Sequence, residues 1–146
     1  MTERQRDIRQ SIGFKIVGGS VGGLNKTLPV ELSYTRTRPY EVDLDFLPDQ
    51  EGEETVTWVI GRDLLRNGLN ARRGQMVGLA DVRVGTALEF IGTSLIQLES
   101  PDGIGIFEAN RVDLTRFLRR TTKIVPFGRE LDHVDMDREI KYLLDK

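Results

Sequence analysis

Short apolar segments with a period of two constrain this chain more than any other feature. Ile12, Phe14 and Ile16 alternate with Gly13 and Lys15. Val30, Leu32 and Tyr34 alternate with Glu31, Ser33 and Thr35, and Val42, Leu44 and Phe46 with Glu41, Asp43 and Asp45. Successive side chains of a strand point to opposite faces, so each segment predicts a strand with one buried and one solvated face. Thr55 to Ile60 is a fourth strand, marked by β-branched residues and Trp58, which shares an apolar face with Val56 and Ile60 and reads as core. Arg62 to Leu69 is a short helix, with Gly68 expected in the left-handed conformation at its end and Leu69 folded back on Leu64. Strand character returns over Val77–Val84 and Leu88–Ile91. Ser100, Pro101, Asp102 and Gly103 then form a tight turn between two further alternating runs.

Asn110 is placed to cap a helix, with Asp113 near its positive end, Arg119 and Arg120 near its negative end, and Leu114, Phe117 and Leu118 as its buried stripe. Val125 to Gly128 breaks the chain. A last helix, capped by Asp135, is expected to bury Met136, Ile140, Leu143 and Leu144. Strands, a helix, more strands and then helices predict an antiparallel α+β fold, not a βαβ one. The polar residues 1–10 are expected to be a flexible arm, 11–146 a single domain, and Gly18–Gly23 a flexible loop.

Composition narrows the chemistry. The 146 residues contain no cysteine and one histidine, His133, which excludes disulfides, thiolate zinc sites and a cysteine nucleophile. No run approaches the roughly 18 apolar residues of a membrane span, and the charged start lacks a signal-peptide core, so a soluble intracellular protein is expected. The net charge of −2 conceals strong blocks. Residues 41–63 carry one basic and eight acidic side chains, while 111–123 carry five basic and one acidic. Separate acidic and basic faces suit a protein that meets protein partners.

Each candidate for chemistry has a plainer reading that fits better. Lys26-Thr27 after the glycine-rich segment lacks the Walker spacing and the following helix, so it is a hairpin loop. Glu41, Asp43 and Asp45 lie along one strand face at intervals of about 7 Å. They lack the convergence that acid–base catalysis or a divalent ion requires, and read as a solvated acidic face that docks a partner. His133 reads as a surface-loop residue. Arg62, Arg66, Arg72 and Arg73 form one basic cluster, and Arg116, Arg119 and Arg120 form a helical flank at i, i+3 and i+4. Both read as solvated faces, and the second is the better candidate to contact an acidic partner segment. No catalytic, cofactor-binding or metal-binding residue is assigned, and no small-molecule substrate is expected.

Pro39-Tyr40-Glu41-Val42, the run from Glu53 to Leu69 (EETVTWVIGRDLLRNGL), Gly78 to Val84, Leu98 to Gly103, Phe117 to Thr121 and Val125 to Gly128 together resemble the SsgA-like proteins of sporulating actinobacteria. The resemblance spans residues of about 28 to 146. It implies a whirly-like antiparallel sheet or barrel with packed helices, built as two strand–helix halves and assembled as a homotrimer. It also implies a non-enzymatic regulator of sporulation-specific cell division that marks septum sites. Such a protein would work in the cytoplasm at the septum, recruiting the tubulin-like protein FtsZ together with other SsgA-like proteins. The alternative is a single-stranded nucleic-acid-binding protein of whirly type. The pI near 5.5 argues against it, because such binding needs a continuous basic groove.

Overall fold

A computed structural model describes residues 6–48, 51–78, 81–89, 91–134, 140, 141, 143 and 144. The elements follow the predicted order. Four strands, β1 (Ile8–Gly19), β2 (Thr27–Tyr34), β3 (Glu41–Phe46) and β4 (Val56–Gly61), lead into helix α1 (Arg62–Leu69). Four more, β5 (Met76–Val77), β6 (Val82–Thr86), β7 (Thr93–Ser100) and β8 (Gly103–Asn110), lead into helix α2 (Arg111–Ile124) and a 3-10 turn (Glu130–His133). All eight strands form one antiparallel sheet in the order β4-β3-β2-β1-β8-β7-β6-β5, curled into a half-barrel. Each half is thus four strands closed by a helix, and the halves join where β1 pairs with β8.

The two-residue period explains why the sheet has one dry face. The register sets Leu32 beside Leu44 and Leu44 beside Trp58. Across the other half, Val84 lies beside Ile96 and Ile96 beside Phe107. These side chains share the concave face, where Phe14, Val30, Leu32, Leu44, Val84 and Ile96 are fully buried. Phe14, Phe46 and Phe107 pack as a triad with ring centroids 5.4 to 6.0 Å apart. Helix α2 lays Leu114, Phe117 and Leu118 into this core, as its sequence stripe predicts, and buries Thr121 beside them. Each fully buried side chain of this size contributes about 1.5–3 kcal/mol of transfer free energy. The Asn110 side chain accepts a hydrogen bond from the Asp113 N–H at 3.1 Å, so the predicted cap is present. Ser100 pairs with Gly103 across the predicted turn.

Several local expectations are corrected. Chain 6–10 is not an arm: β1 begins at Ile8, and the Arg6 side chain reaches Asp43 at 3.0 Å. β1 also runs through Gly18 and Gly19, because those glycines let β8 approach closely. A Cβ on Gly19 would lie 2.1 Å from the Ile104 carbonyl oxygen. Of the stretch 77–84, Val77 belongs to β5 and Val82–Val84 to β6, and no strand forms at residues 88, 89 and 91, where Leu88 and Ile91 are exposed. Gly68 is not a left-handed cap. It lies within α1, where a Cβ would come 2.4 Å from Val84, so its function is to let the helix sit against β6. Trp58 is only half-buried. Ile140, Leu143 and Leu144 are helical but exposed, contrary to the predicted buried stripe, and Asp135 and Met136 lie outside the described residues.

Candidate functional site

The predicted acidic row is built by β3, whose outward positions are Glu41, Asp43 and Asp45. It is not a solvated face. Asp43 is only 3% exposed, held between two arginines that its own segment does not supply. Arg38, in the turn before β3, donates to both Asp43 carboxylate oxygens at 3.2 and 3.3 Å and also to Glu41. Arg6, brought alongside by β1, donates to Asp43 and to the Ser33 hydroxyl. Asp45 accepts from the Thr57 hydroxyl at 2.6 Å and lies 3.7 Å from Arg6. Charge-assisted bonds of this kind are the strong ones, and a two-pronged arginine also fixes geometry. Most of the negative charge read from residues 41–45 is therefore neutralised within the chain, and of the three only Glu41 is well exposed.

The basic flank lies on α2. Arg116, Arg119 and Arg120 all lie exposed on the face opposite Leu114, Phe117 and Leu118. Arg116 pairs with Asp113 at 3.3 Å, one turn away and open to water, and such a pair is worth little. Arg120 donates to the Arg9 carbonyl and the Gln10 side chain at 3.2 and 3.3 Å, which ties α2 to β1. Arg119 makes no ion pair among the described residues.

The second basic cluster divides. Arg72 and Arg73 are exposed, but Arg62 is fully buried. It donates to the Glu130 carboxylate at 2.9 Å and to the Val125 carbonyl at 2.6 Å. Its guanidinium also lies 4.2 Å from the centroid of the Phe127 ring and 5.2 Å from that of Tyr34, with Arg66 over Phe127 at 4.1 Å. Glu130 is itself buried and accepts from the Gly128 N–H at 2.7 Å. Burial alone would raise the Glu130 carboxyl. The hydrogen bonds from Arg62 and from backbone N–H groups, with the arginine's charge, outweigh that and hold it below the ordinary carboxylate range. Burial pushes the neighbouring Tyr34 hydroxyl up to about 12, and it donates to the Pro39 carbonyl at 2.9 Å.

This lock joins the start of α1 to the segment after α2, and the sequence reading missed it. A signal was available. Arg62 lies three and seven residues before Leu65 and Leu69, on the same buried stripe of α1. An arginine in the apolar phase of a helix needs a buried partner. His133 is half-buried in the 3-10 turn. Among the described residues no three His, Cys, Asp or Glu side chains gather as a metal-holding group, and no helix is long and apolar enough to cross a membrane.

Comparison with known proteins places this architecture. Residues 28–130 match the family described as Streptomyces sporulation and cell division protein, SsgA. The chain is 40% identical to the sporulation-specific cell division protein SsgB of Salinispora tropica over 120 residues, 80% of this chain and 81% of that one. It is 39% identical to SsgB of Streptomyces coelicolor over 118 residues, 80% and 82% of the two chains. Among solved structures, one of SsgB comes from work correlating mutations in SsgB with longitudinal cell division during sporulation of Streptomyces coelicolor. It superposes with a TM-score of 0.71 at 34% identity, covering 86% of this chain and 94% of that one. The SsgA-like sporulation-specific cell division protein of Thermobifida fusca superposes at 0.72 and 29% identity, covering 97% and 98%. The chain belongs to the SsgA family of sporulation and cell division proteins.

Proposed function

We propose that this chain is a non-enzymatic regulator of sporulation-specific cell division that marks septum sites in the cytoplasm and recruits FtsZ, acting with other SsgA-like proteins as a homotrimer. The observation that carries the reading is the likeness to SsgB proteins, which extends over four-fifths or more of both chains. The α2 flank supports it: Arg116 and Arg119 are open to solvent on a helix whose other face is anchored in the core, a rigid platform for an acidic segment. The carboxylates of β3 contribute less, with Glu41 as their accessible member. The nucleic-acid alternative has less support, since the net charge is −2 and Phe14 and Phe107 are buried, whereas such binding needs a basic groove with exposed aromatics.

Co-sedimentation with FtsZ polymers at moderate salt tests the proposal. Enrichment in the pellet, reduced by Arg116→Glu with Arg119→Glu, supports it, and a level equal to an unrelated control protein overturns it. Light scattering checks the assembly separately, with a mass about three times the 16.6 kDa of one chain expected.

A further inference from the structure

The concave face of the half-barrel is filled unevenly. Helix α1 leaves β4 at Gly61 and α2 leaves β8 at Asn110, so both helices pack over one end of the strands. At the opposite end an open groove of about 330 Å³ lies between β4 and the β7–β8 hairpin. Its walls include Leu28, Phe46, Val56, Trp58, Leu98 and Phe107, with no charged side chain among them. Glycine keeps the far wall low: Gly103 and Gly105 of β8 present no side chain to the groove.

One wall of this groove is also the edge of the sheet. β4 hydrogen-bonds to β3 alone, which leaves the outer backbone row of Val56–Ile60 unpaired among the described residues. Proteins usually guard such an edge with a proline, a lysine, an inward charge or a bulge. The run Thr55-Val56-Thr57-Trp58-Val59-Ile60 contains no proline and no charge, its pairing with β3 runs without a shift, and Val56 and Val59 are 55% and 46% exposed. Immediately before it, Glu51 and Glu54 are exposed.

We propose that the β4 edge is a strand-addition site. It would accept an extended segment of another polypeptide, apolar at alternate residues and basic at the end that meets Glu51 and Glu54. The segment's backbone extends the sheet beyond β4, and every second side chain enters the groove over Phe46 and Phe107. Main-chain bonds supply affinity in this mode, and the pocket and charged end supply specificity. The site stands apart from the division role: peptide binding can fail with FtsZ co-sedimentation intact, and the reverse.

The chain's only tryptophan, Trp58, lies on the site and reports on it. The probe is a synthetic peptide of two lysines followed by alternating valine and threonine, titrated while Trp58 emission is followed. A blue shift is expected, with affinity lowered about tenfold by Val56→Lys and several-fold by Glu51→Lys with Glu54→Lys. The same peptide methylated at every backbone nitrogen should not bind. Val112→Lys, at an exposed position on α2, should leave the affinity unchanged. No shift up to about 1 mM peptide overturns the proposal. Equal binding of the fully methylated peptide overturns it in favour of a pocket for apolar ligands. A self-association abolished by Val56→Lys overturns it in favour of a second copy on the edge.

Discussion

Arg62 and Arg119 are the same residue type, each beside other arginines on a helix, yet they do opposite things. Arg62 is sealed into the protein between Glu130, the Val125 carbonyl and the Phe127 ring. Arg119 projects into solvent. What separates them is helical phase. Arg62 falls on the stripe of α1 that also buries Leu65 and Leu69, whereas Arg119 falls opposite Leu114 and Phe117 on α2. A charge in the buried phase must carry its counter-charge with it and becomes part of the architecture. A charge in the solvent phase contributes little to stability and is left for a partner.

The sharpest way to break this contrast is to remove the buried charge. Arg62→Ala should destabilise the protein by about 3–5 kcal/mol in urea unfolding, since it strands Glu130 inside. The paired change Arg62→Met with Glu130→Leu should recover most of that loss, because it removes both charges and keeps the volume. The pair also has a pH signature. Glu130 titrates below its unfolded value. Its stabilisation is therefore complete above the ordinary carboxylate range and is lost as pH falls through the lower folded value. Urea midpoints measured from pH 7 downward should fall less steeply in the paired variant.

Asp43→Ala comes next. It deprives Arg38 and Arg6 of their shared acceptor and should cost about 1–3 kcal/mol by the same measurement. A neutral result would return Asp43 to the solvated face that its alternation suggested. Asn110→Ala removes the α2 cap and should cost about 1 kcal/mol, seen as a lower thermal midpoint. Smallest for stability is Arg116→Glu with Arg119→Glu, expected within about 0.5 kcal/mol of the parent, while FtsZ co-sedimentation declines. If stability falls as far as in Arg62→Ala, the two arginine classes are not distinct.

Much of the fold was legible because it rests on short-range pattern. The period-two runs in β1, β2 and β3, the Pro101-Asp102 turn and the capped stripe of α2 each specify local conformation and which face is dry. Errors arose where a distant segment set the outcome. Gly68 suits a helix end by its own chemistry, but β6 passes so close that only a residue without a side chain fits inside the helix there. Asp43 has no basic neighbour between 41 and 54, and its arginines come from positions 6 and 38. Arg6 itself lay in a segment that looked too polar to be ordered. Of the candidate site, the α2 flank could be read from spacing alone, whereas the acidic row could not, because neutralisation requires partners that only the sheet brings near.

The count of charges, the lack of cysteine, the strand periods and the α2 stripe were determined by the sequence itself, since each depends on residues within a few positions of one another. Tertiary structure alone decided which charges remain available. The sheet carries Arg6 to Asp43, and the return of the chain after α2 carries Glu130 to Arg62. The same topology leaves β4 at an open edge beside an apolar groove. The physical reason is reach: a side chain's ordinary conformational preference is local, but its burial and its counter-charge belong to whatever the fold packs against it.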